Sequence, residues 1–100
     1  MNEYILLMFN DVTDIAAARD HDYWDQYIAT LRASGRFDGG SSIGVGERMK
    51  KGQSPQLSDS ELTGFLRVQA KDIEDAKSFL VGNPTYEAGG TVEIRELPKS

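Results

Sequence analysis

Two stretches constrain the fold of this chain more than anything else in it: Leu31-Arg-Ala-Ser-Gly-Arg-Phe-Asp-Gly-Gly40 and Asn83-Pro-Thr-Tyr-Glu-Ala-Gly-Gly-Thr-Val-Glu-Ile-Arg95. In the first, Gly35 can take the left-handed conformation that closes a helix, and the chain turns into a strand. In the second, Asn83-Pro84 stops a helix, Gly89-Gly90 turns the chain, and a β-branched run follows. Two such helix-to-strand exits within 100 residues leave room for one domain, 1–100, of order βαββαβ.

The other elements fit between these marks. Tyr4-Ile-Leu-Leu-Met-Phe9 is too short for an independent helix and suits a buried strand. Thr13 or Asp14 can cap a turn of helix at Ile15-Ala-Ala-Ala18. A clearer helix begins at Asp20 or Asp22, with His21, Trp24, Ile28 and Leu31 on one stripe. The second strand is expected within Arg36 to Val45, with Ile43 and Val45 as apolar contacts. Its glycines (Gly39, Gly40, Gly44, Gly46) point to a bulge or a close approach of backbone or ligand. Gln53 to Ser60 reads as a polar loop. In the third strand, Leu62 to Ala70, residues Leu62, Gly64, Leu66, Val68 and Ala70 share one face, and Thr63, Phe65, Arg67 and Gln69 the other. A second helix starts at Lys71 or Asp72, with Asp72 and Asp75 as a capping pair and Ile73, Ala76 and Leu80 as its stripe. It runs to Gly82. Thr91 to Leu97 is the last strand.

This order predicts an α+β, ferredoxin-like domain: a four-stranded antiparallel sheet with two helices on one face. The other face is not a solvated one. The first strand is apolar on both sides, with Tyr4, Leu6 and Met8 against Ile5, Leu7 and Phe9, and Phe65 adds to the outward side. An exposed apolar patch of several hundred Å² is rare on monomers, so a homodimer through the helix-free face is expected.

The composition narrows the function classes. The net charge is -5, and the positive charges are scattered apart from Arg48, Lys50 and Lys51, which read as a solvated hairpin; nucleic-acid binding is not expected. There is no cysteine and one histidine, so no bound metal or cofactor is expected. No apolar run approaches the ~18 residues needed to span a bilayer. Asn2 and Glu3 precede the first apolar run where a signal peptide would be basic. A cytoplasmic, non-membrane protein is the expectation.

With its apolar opening strand, the LRASGR turn and the NP-x-x-E-A-G-G-x-V-E-I-R ending, the chain resembles the YCII-related family, including its DGPF-type branch, within the dimeric α+β barrel superfamily. The resemblance covers most of the chain. It implies a ferredoxin-like fold, dimerisation, and a helix-one histidine working with an aspartate. Counting back from Gly35, that histidine position falls on Trp24, and His21 lies one turn earlier. Asn83-Pro84 stands where such members read Asp-Pro, and the DGPF tetrapeptide is absent.

Candidate site residues follow from chemistry and from this resemblance together. His21 is the candidate acid or base, with Asp25 one turn on to orient it. Asp38, after the Gly35 turn, is the second catalytic candidate. Trp24, Tyr27, Ser41 and Arg67 are substrate-binding candidates: two aromatics for a planar molecule, a hydroxyl, and a cation for an anionic group. Bland alternatives stand beside each: a solvated first-turn histidine, an aromatic core cluster, Asp and Ser turn chemistry, and cross-strand pairing of Arg67 and Arg95 with Glu93. If a site exists, it is expected between helix one and the sheet, with His21, Trp24 and Asp38 on its wall. The function expected is that of a small metal-independent enzyme using acid/base chemistry on a small organic molecule. The alternative is a non-catalytic dimeric ligand-binding or accessory module.

Overall fold

The structure is a computed structural model, and it describes residues 1–58 and 61–99. The chain runs β1 (Asn2–Phe9), α1 (Ile15–Ala18), α2 (His21–Ala33), β2 (Phe37–Ser42), β3 (Glu47–Arg48), β4 (Gln56–Leu57), β5 (Leu62–Ala70), α3 (Ile73–Ala76), a 3-10 turn (Lys77–Leu80), α4 (Pro84–Glu87) and β6 (Val92–Leu97). Four strands form one antiparallel sheet in the order β2-β5-β1-β6. This is the ferredoxin-like arrangement, with the first and third long strands at the centre.

Alternation decides the layers. Tyr4, Leu6 and Met8 of β1 and Leu66, Val68 and Ala70 of β5 are buried against Tyr27 and Leu31 of α2 and Ala76 and Phe79 beyond β5. The intervening residues Ile5, Leu7, Phe9, Phe65, Arg67 and Gln69 are only half-buried, on the side that carries no helix. Register places Leu7 between Phe65 and Glu93, and Ile5 between Arg67 and Arg95.

Local chemistry sets the helix ends. Asp14 and Asp20 accept the Ala17 and Tyr23 amides at 3.1 and 3.2 Å and so cap α1 and α2. After α2, Gly35 has φ 72° and turns the chain into β2. Asp72 accepts from the Asp75 amide at 2.8 Å, and the Asp75 carboxylate accepts from the Lys71 amide at 2.9 Å, a reciprocal cap one residue wider than the usual box.

Three sequence expectations need correction. The second helix is not continuous to Gly82: it is one α-turn that tightens into a 3-10 turn, followed by a separate short helix. The Ser78 hydroxyl donates to the Asp75 carbonyl at 2.7 Å, drawing on an oxygen the helix would use. Asn83 then begins the next element. Fully buried, it accepts from the Tyr86 amide at 3.0 Å, with Pro84 in the first turn of α4. Second, Val45 is 96% exposed and makes no core contact, because β2 ends at Ser42 and the chain leaves the sheet just after Ile43. Third, the Gln53–Ser60 loop contains a strand: Gln56–Leu57 pairs with Glu47–Arg48 in a small hairpin. Asp59 and Ser60 lie outside the described residues.

Candidate functional site

A cleft of about 710 Å³ opens between α2 and the β2/β5 side of the sheet. It exists because the sheet is thin there. In register, Gly40 lies opposite Leu66 and Gly64 opposite Ser42, on the helix-facing side, and two of these four positions have no side chain. The register of β2 shifts between Phe37 and Gly40, the bulge that its glycines suggested, with Gly39 at φ 97°. At Gly40 the strands approach so closely that a Cβ would stand 2.2 Å from the Phe65 carbonyl oxygen.

The opposite wall is one stripe of α2. His21, Trp24, Ile28 and Arg32 recur at helical spacing and all line the cleft. Trp24 is fixed there: its indole N–H donates to the Ala18 carbonyl at 2.7 Å, and its ring meets Tyr27 edge-on at 6.1 Å. Met8, Phe37 and Leu66 add apolar surface, and Arg19, just before α2, closes one side.

Three of the lining side chains are basic (Arg19, His21 and Arg32), and among the described residues no carboxylate lines the cleft, in a chain of 16 acidic and 11 basic residues. His21 is exposed at the mouth and, among the described residues, makes no hydrogen bond or ion pair, so Asp25 does not orient it. Among the described residues no three of His, Asp and Glu cluster as a metal-ligand set.

The structure brings together some of the candidates from sequence and separates others. His21, Trp24 and Ser41 line the cleft; the Ser41 hydroxyl donates to the Ser42 carbonyl at 2.9 Å. Tyr27 sits behind Trp24, buried in the core, and its phenol donates to the Phe79 carbonyl at 2.6 Å. Burial pushes its pKa up, with Asn83 pulling the other way, which keeps the hydroxyl protonated in this bond. Asp38 is not on the cleft wall. It belongs to the helix-free face, where its carboxylate accepts from the Gln69 amide at 2.5 Å and its carbonyl from Arg67 at 2.7 Å. Alternation past the bulge, not proximity to the Gly35 turn, decides its side. Arg67 lies on that same face, 3.7 Å from Glu3. The cross-strand ion pair is therefore with Glu3, while Glu93 pairs along its own strand with Arg95 at 2.7 Å.

Arg32, Ile28, Arg19 and Phe37 were not among the residues singled out as site candidates. A signal for Arg32 was present: it falls eleven residues after His21, three helical turns on and on the same stripe.

Fold and cleft together define the class: an α+β domain of ferredoxin-like topology, with its cavity between the first long helix and the sheet. Among solved structures, the chain is similar to the 5-chloro-2-hydroxyhydroquinone dehydrochlorinase TftG from Burkholderia phenoliruptrix AC1100, in complex with 2,5-dihydroxybenzoquinone. The TM-score is 0.59 at 13% identity, over 98% of this chain and 95% of that one. At that identity the likeness establishes the fold. No protein-family model matches the chain, and no curated protein matches it. Among the described residues no helix is long and apolar enough to cross a membrane.

Proposed function

We propose that this protein is a YCII-related, metal-independent enzyme that acts by acid/base chemistry on a small, ring-containing organic molecule bound in the α2 cleft. The observation that carries this reading is the cleft itself: Trp24 and Ile28 form an apolar wall, His21 stands at the mouth, and Gly40 and Gly64 leave the floor open. In this reading Trp24 packs against the ring, Ser41 offers a hydroxyl at the rim, and His21 takes or gives the proton. The similarity to a structure holding 2,5-dihydroxybenzoquinone supports a planar guest of this size. Asp38 and Arg67 serve the helix-free face in this account, through their bonds to Gln69 and Glu3.

The active form is proposed as a homodimer through that face. Ile5, Leu7, Phe9 and Phe65 make a half-buried apolar strip, edged by Glu3, Arg67, Glu93 and Arg95. A two-fold pairing covers the strip with one self-complementary surface.

A second reading has its own support. His21 lacks a carboxylate partner among the described residues, and a dimeric binding module would need none. One experiment separates the two. A panel of phenols, quinones, lactones and aromatic acids is scored by thermal shift, and every binder is then followed for turnover with the wild type and His21→Ala. Turnover lost in His21→Ala with the thermal shift retained is the expected result. Binders without turnover support the module.

A further inference from the structure

The charges on the cleft wall run against the charge of the whole chain. The chain carries a net charge of -5, yet the cleft is lined by Arg19, His21 and Arg32 and, among the described residues, by no carboxylate. The acidic residues of α2 do not compensate. Asp20 is spent on the Tyr23 amide, and neither Asp22 nor Asp25 lines the cleft.

The two arginines also differ from the rest. Arg36 is held by Asp75 at 2.8 Å and lies over the Phe79 ring, Arg67 pairs with Glu3, Arg95 pairs with Glu93, and Arg48 is engaged as well. Arg19 and Arg32 make no side-chain bond or ion pair among the described residues. A guanidinium presents a planar fork of donors that matches a carboxylate. Two uncommitted forks beside Trp24, Ile28 and Phe37 give a bed for a ring and partners for a charge.

We infer that the cleft selects ligands that carry an anionic group on an apolar ring, an aromatic carboxylate being the simplest case, with Arg32 and Arg19 binding the anion. This deepens the proposed function and rests on the cleft being its ligand site.

Trp24 is the only tryptophan in the chain, so its fluorescence reports on the cleft alone. The test titrates the full chain with 4-hydroxybenzoate and with methyl 4-hydroxybenzoate, which has the same ring and no charge at neutral pH. The anion should bind at least tenfold more tightly, the scale of a charged hydrogen bond, and added salt should narrow the gap. Arg32→Gln or Arg19→Gln should shrink the ratio severalfold while leaving affinity for the ester unchanged. Lys50→Gln, the same charge change in a residue that does not line the cleft, should leave the ratio intact. Both arginines are exposed, so the variants are expected to fold, and circular dichroism checks this. Equal binding of acid and ester, or a ratio untouched in both arginine variants, overturns this inference and leaves the cleft as a ligand site. Failure of both probes to perturb Trp24 at millimolar concentration overturns the inference and the site together.

Discussion

The phenol of Tyr27 donates a 2.6 Å hydrogen bond to the carbonyl of Phe79, a residue 52 positions further along the chain. The bond ties α2 to the 3-10 turn beyond α3, and it holds the helix whose other face forms the cleft wall. Both groups are buried. Tyr27→Phe keeps the ring and leaves the carbonyl without its partner. It should cost about 1–3 kcal/mol of stability, read as a lower urea midpoint at unchanged slope. No change in midpoint would mean that the bond contributes nothing net.

At Gly40 an added Cβ would meet the Phe65 carbonyl oxygen at 2.2 Å and a Leu66 methyl at 2.9 Å. The obstacle is backbone, so a rotamer change cannot relieve it. Gly40→Ala should destabilise by roughly 1–3 kcal/mol and increase amide exchange in β2 and at the Ile43 amide just beyond it, which bonds to the Thr63 carbonyl at 2.9 Å. Wild-type exchange in the variant would contradict the close approach.

Acid should loosen the junction of β1 with β6. Asp11 is held below the ordinary aspartate value of 3.8 by the Thr91 hydroxyl and then the Thr91 amide. Asp75 is lowered in the same way, first by the Lys71 amide and also by Arg36. A lowered folded-state pKa means that the unfolded chain binds more protons in this range. The stabilisation is therefore complete above the unfolded value and is lost as pH falls through the lowered folded value. The melting temperature should drop as the pH falls below about 4, and Asp11→Asn should drop less over that interval. An equal acid sensitivity in the variant would show that Asp11 carries none of it.

Leu7 tests the proposed dimer. It lies in register between Phe65 and Glu93 on the helix-free face. Leu7→Lys places a cation beside Glu93, so a single chain tolerates it, but pairing two such faces would bury the charge. Sedimentation velocity at micromolar concentration should show a dimer for the wild type and a monomer for Leu7→Lys. A monomeric wild type would contradict the dimer outright.

Much of this architecture was legible from the chain because local signals agreed. The caps at Asp14, Asp20 and Asp72, the Gly35 exit and the two-residue alternation of β5 all point the same way and need no long-range information. What was hidden depends on contacts between distant residues. The new helix at Pro84 starts on Asn83, which is buried beside Met8, at 3.7 Å from its sulfur. Following the Gly35 turn, Asp38 reads from sequence as a cleft residue, but one bulge residue sets which face it joins, and glycine-rich strands carry little register information. Trp24 and His21 were legible as a stripe. Arg32 shares that stripe, and its role at the cleft shows only once β2 and β5 are seen to lack side chains opposite it.

If the α2 cleft is where this protein meets its ligand, a crystal structure with the strongest binder from the panel will show it there. The account predicts that molecule between the Trp24 ring and the glycine floor at Gly40 and Gly64, with a polar atom within hydrogen-bond distance of His21. An ordered ligand on the helix-free face or at the β3–β4 hairpin, with the cleft filled only by solvent, would contradict it.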